Sequence, residues 1–76
     1  MTNYKTIVGL TNGCHKIVRL DKGQVAHVVT EWRKFRRNIF RDVVLLTLNG
    51  TTLCLNEILS FKFINEWTGE EFLSIN

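Results

Sequence analysis

The chain has 76 residues, 45% hydrophobic and 22% charged, with no proline and a net charge of +3. That length holds one domain, taken as 1–76, since domains typically run about 100–150 residues. The apolar content excludes a disordered tail, and the longest apolar run, Val43-Val44-Leu45-Leu46, is far short of the roughly 20 residues that span a bilayer.

Residues 4–10 are rich in β-branched and aromatic side chains and read as a strand. Thr11-Asn12-Gly13 is a turn, with Gly13 free to adopt positive φ, and 14–20 is the returning strand of a hairpin. Asp21-Lys22-Gly23-Gln24 reads either as another turn or as a helix start. Asp21 followed by Gln24 has the spacing of a capping box. Beyond it Val25, Val28, Val29, Trp32, Phe35 and Ile39 recur at steps of three and four, the period of a helix. These signals predict a helix over 22–37, ending on cations that suit the C-terminal dipole and closed by Asn38.

The second half reads as strands. Val43 to Leu48 is apolar on both faces, which predicts a central strand. Asn49-Gly50 is a strong hairpin signal, because a type I′ turn needs positive φ at both positions. Thr51 to Leu55 returns, Asn56-Glu57 breaks the pattern, and 58–65 is a further strand with Leu59, Phe61 and Phe63 expected on one face. Thr68-Gly69 turns into a last strand, Phe72 to Ile75. The predicted class is α+β: a small antiparallel sheet of about five to six strands, ordered β-β-α-β-β-β-β, with one amphipathic helix packed on one face. If 24–35 were a strand instead, the fold would be an all-β, SH3-like small barrel. A long unpaired edge in either sheet would invite dimerisation.

Charge is distributed unevenly. Residues 1–41 hold nine Lys/Arg against two acids, and 42–76 hold one Lys against five acids, so a +7 front meets a −4 back. Arg33-Lys34-Phe35-Arg36-Arg37, with Arg41 beyond, is the sharpest local feature. As candidate partner-binding residues these cations suit an acidic patch on a protein or the phosphates of a nucleic acid. They also suit a solvated helix end paired with the chain's own acids. No RNP1-like string, zinc-finger spacing or Gly-x-x-Gly clamp accompanies them. Trp67 is a further candidate. Beside a turn in an acidic stretch, it either covers the core edge next to Phe72 or anchors a partner.

Catalytic and metal chemistry finds little footing. Cys14, His15, His27 and Cys54 form neither Cys-x-x-Cys nor His-x₃-His, so no metal site and no cofactor is expected. Gly9 to Gly13 followed by Lys16 lacks the Gly-Lys-Ser/Thr of a P-loop. Cys14 beside His15 on a strand points to the opposite face, unlike a nucleophile and its base. A chain this short has little room for a pocket with supporting side chains, so an enzyme is not expected. Two cysteines make no disulfide framework, and the opening residues show no signal-peptide pattern, so the expected setting is the cytoplasm with thiols reduced.

Leu10-Thr11-Asn12-Gly13, an amphipathic helix, and then Leu46-Thr47-Leu48-Asn49-Gly50-Thr51-Thr52-Leu53-Cys54-Leu55-Asn56-Glu57-Ile58 resemble small accessory proteins of bacteriophages and prophages. The resemblance covers about residues 5–61 and is one of hairpin pattern; it transfers no functional residue. It implies a factor that binds and redirects a host protein in the host cytoplasm. The expected function is therefore binding: first an inhibitor or regulator docking on a host protein through the basic helix end. The alternatives are a nucleic-acid-binding protein using the same cluster, or a self-assembling subunit whose basic and acidic halves meet between copies.

Overall fold

The structure, a computed structural model, describes residues 3–37 and 43–76. Its elements are β1 (Asn3–Leu10), β2 (His15–Asp21), α1 (Lys22–Arg37), β3 (Leu45–Leu48), β4 (Thr51–Cys54), a 3-10 turn (Leu55–Glu57), β5 (Ile58–Asn65) and β6 (Glu71–Ile75). The α+β class and the predicted order of elements hold, with a helix rather than a strand over 22–37. The strands divide into a four-stranded antiparallel sheet, β2-β1-β5-β6, and a two-stranded ribbon, β3-β4, with no closed barrel. Asn38, expected to close the helix, Ile39 of its apolar stripe and Arg41 lie outside the described residues.

Local chemistry accounts for the turns and the helix start. In the first hairpin Gly13 takes φ 86°, and the Asn12 side-chain oxygen accepts a 2.9 Å bond from the Cys14 amide. In the second hairpin Asn49 and Gly50 take φ 48° and 78°, the positive pair a type I′ turn requires. At the helix start the capping box is closed in both directions. The Gln24 amide donates to the Asp21 carboxylate at 2.8 Å, and the Asp21 amide donates to the Gln24 side chain at 3.0 Å.

The Asn49 side chain also ties the ribbon to the rest of the fold. Its Nδ2 donates to the Arg19 carbonyl at 2.7 Å and to Gln24 Oε1 at 3.2 Å, and Gln24 Nε2 donates to its Oδ1 at 2.7 Å. One turn residue thus holds the end of β2 and the helix cap together. Asn49→Ala is expected to lose about 2 kcal/mol, from left-handed backbone strain and the lost hydrogen bonds. Asn49→Gly, free of the strain, should lose about half as much. Urea unfolding midpoints of the two variants measure the difference.

The core is one cluster between the sheet and the layer formed by α1 and the ribbon. Val25, Val28, Trp32 and Phe35 are the buried stripe of α1. Trp32 meets Phe61 edge-on at 5.2 Å and Phe35 in a stacked arrangement at 5.7 Å, while Phe61 stacks with Phe63 at 6.0 Å. Leu46 and Leu48 of β3, with Leu53 of β4 and Leu55 beyond it, add the ribbon's share.

Two expectations fail, each for a structural reason. Val43 to Leu48 is not a central strand: β3 pairs only with β4, and Val43 and Leu45 are exposed while Leu46 and Leu48 face the core. Leu59 does not share a face with Phe61 and Phe63. Gly9 pairs with Ser60 and Leu10 with Ile58, so Leu59 is the extra residue of a bulge and turns outward, while Ile58 joins the two phenylalanines in the core.

Candidate functional site

The core stripe of α1 dictates where its cations go. With Trp32 and Phe35 inward, residues one position away lie on opposite flanks of the helix. Arg33, Arg36 and Arg37 fall on the flank facing β6, where together with Trp32, Ile75 and Asn76 they line an open groove of about 440 Å³. The Arg36 guanidinium lies 5.7 Å from the Trp32 ring centroid, a cation–π contact that holds this side chain over the core. Lys34 falls on the other flank, 3.7 Å from Glu31 and beside Val44 of the ribbon side. The contiguous basic string is therefore a cluster of three arginines plus a separate, ion-paired lysine. Arg41 lies outside the described residues.

Among the described residues, the acids of the chain's second half do not come to meet the arginines. Glu66 pairs with Arg19 at 3.0 Å and Glu71 with Lys62 at 3.8 Å, both away from the groove. Among the described residues, no carboxylate pairs with Arg33, Arg36 or Arg37.

Further along the same flank the groove becomes apolar. Val25, Ala26 and Val29 of α1 face Phe72 and Leu73 of β6 across a cleft of about 370 Å³, with Lys22 at one end and Arg33 at the other. Arg33 lines both this cleft and the arginine groove, so the two adjoin along β6.

Trp67 is placed elsewhere. The sheet registers Asn3 against Asp21, immediately before the helix, and the Glu66 amide donates to the Asn3 carbonyl at 3.1 Å. The turn after β5 therefore sits at the N-terminal end of α1, whereas the arginines cluster at its C-terminal end. Trp67 is 82% exposed rather than packed at the core edge, and it is Phe72 that packs against Tyr4, the two rings tilted at 44° with centroids 4.9 Å apart. The turn itself is well built. Asn65 Oδ1 accepts from the Trp67 and Thr68 amides at 2.8 and 3.4 Å, and Gly69 takes φ 74°. Because so little of the indole is buried, Trp67→Ala is expected to change stability by less than about 0.5 kcal/mol, checked by thermal unfolding.

Sequence reasoning found the basic cluster but not its partition between two flanks, nor the part played by β6. The recoverable signal was the helical spacing: Arg33, Arg36 and Arg37 share a flank with Ala26 and Val29, and Lys34 shares one with Glu31. Among the described residues no three of His, Cys, Asp and Glu lie together as metal ligands, and no helix is long and apolar enough to cross a membrane. Comparison with known protein families, with curated proteins and with solved structures finds no match to this chain.

Proposed function

We propose that this chain is a non-enzymatic binding protein that docks onto an acidic surface of a protein partner through Arg33, Arg36 and Arg37. The setting that fits is the one its hairpin pattern implies, a small phage-type inhibitor or regulator acting on a host protein in the host cytoplasm. The carrying observation is that three arginines share one groove and, among the described residues, none of them is paired with a carboxylate, while Glu31, Glu66 and Glu71 pair with other cations. Like charges one helical turn apart repel, and the helix dipole offsets only part of that. A partner's carboxylates would relieve the repulsion, and arginine binds carboxylates in a bidentate fork.

The test is affinity capture with the tagged chain, with and without nuclease, against the Arg33→Glu, Arg37→Glu double variant. A single stoichiometric protein that survives nuclease and is lost in the variant supports the proposal. A phosphate-binding surface behaves differently. Three arginines on phosphates give a slope of log affinity against log salt near −3, at about 0.9 per contact. Retention on oligonucleotides with that slope, and no protein captured, would replace the protein partner with nucleic acid.

A further inference from the structure

Resting on the docking proposal for the class of partner, we infer that what docks is an extended segment with an apolar side chain between acidic ones. Its apolar side chain enters the cleft between α1 and β6, and its carboxylates lie at Lys22 and in the arginine groove. Lys22, Ala26, Val29, Arg33 and Arg37 follow one another at steps of three and four, so they form one stripe along the helix. Phe72 and Leu73 of β6 stand across from the middle of that stripe. Val25 in the cleft is buried, whereas Ala26 is exposed and Phe72 is 52% exposed, so an open apolar surface runs down to the core.

Charge selects the occupant. Lys22 and Arg33 bracket the apolar cleft, and Arg36 and Arg37 continue beyond it. Among the described residues, no carboxylate lines the cleft or the groove, and none pairs with these four cations. Glu71, next to Phe72 in sequence, pairs with Lys62 instead. Trp32, which lines the groove, keeps a buried indole N–H with no acceptor. A matching occupant is therefore acidic at both ends and apolar between them. The helix sets its spacing. Lys22 and Arg33 are separated by about 16 Å along the axis of α1. An extended chain covers that distance in about five residues. The expected pattern is one acid, a gap of about four residues holding a large apolar side chain near its middle, and then one or two acids.

The test is fluorescence anisotropy with two labelled synthetic peptides of about seven residues and identical composition. The ordered peptide has glutamate at its first and last two positions, phenylalanine at its centre and serine elsewhere. In its isomer the phenylalanine and the first glutamate exchange places. The ordered peptide is expected to bind about 10-fold tighter or more, since only its ring reaches the cleft while the acids are seated. Ala26→Glu sets a carboxylate in the cleft and should abolish that preference. His27→Glu makes the same charge change one residue away, outside the cleft, and should preserve it. Both side chains are exposed, so both variants keep the fold. Equal binding of the two peptides, lost in Arg33→Glu with Arg37→Glu, overturns the inference and leaves acidic docking intact. Equal effects of Ala26→Glu and His27→Glu overturn it too, as does failure of both peptides to bind at about 1 mM. An oligonucleotide that displaces the ordered peptide better than unlabelled peptide does overturns it in favour of nucleic acid. A preserved preference with no partner captured counts against the docking proposal alone.

Discussion

Replacing Trp32 with alanine is expected to bring the protein to the edge of unfolding. The indole is 1% exposed and touches both layers of the fold, Phe61 from the sheet and Phe35 from its own helix. Truncating a buried tryptophan costs about 3–5 kcal/mol, from lost transfer energy and the cavity left behind. A chain of 76 residues has a total stability of roughly 4–11 kcal/mol, so one side chain carries a large share of it. The loss should also reach the candidate site, because Arg36 lies over the same ring. Trp32→Phe keeps an aromatic ring between the layers and should retain most of the stability. Urea unfolding followed by far-ultraviolet circular dichroism decides: a Trp32→Ala midpoint near that of wild type would remove Trp32 from the centre of the core.

The second large effect is expected on binding rather than on stability. Arg33→Glu with Arg37→Glu should weaken partner affinity by about 100-fold or more, since interface arginines that are hot spots are worth about 2 kcal/mol or more each and reversal adds repulsion. Stability should fall by no more than about 1–2 kcal/mol, because both side chains are exposed and the cost is mainly that of placing acids at a helix C-terminus. Lys34→Glu makes the same charge change one residue away, on the flank where Lys34 already pairs with Glu31. It should leave partner affinity within a few fold. Titration calorimetry with the captured partner measures all three. Equal losses from Lys34→Glu and the arginine reversals would mean that net charge, not the β6-facing groove, governs binding.

The sequence was most legible where one local interaction fixes the outcome. Asp21 and Gln24 three residues apart are enough to start α1, and the structure closes both of their bonds. Asn49-Gly50 and Gly13 are enough to mark two hairpins. It was least legible where the outcome depends on what a segment meets in space. Val43 to Leu48 looks central by composition, yet its second apolar face is simply exposed, because only β4 pairs with it. The bulge at Leu59 is invisible in an alternating pattern, since one inserted residue exchanges the faces of everything beyond it. Trp67 had two readings that differ only in whether the turn folds back on the core, and no local signal separates them. The basic string was plain in the sequence. Its division into a groove of three arginines and an outlying lysine required the phase of the helix, and its alignment with β6 required the sheet.

The docking proposal is tested most directly by mapping the captured partner's footprint on the isotopically labelled chain by NMR. Shift changes centred on Arg33, Arg36, Arg37 and Ile75, with the Trp67 turn undisturbed, are the predicted result. Changes centred on Trp67, or on Lys5 of β1, Arg19 of β2 and Lys62 of β5, with the α1 end silent, would contradict it.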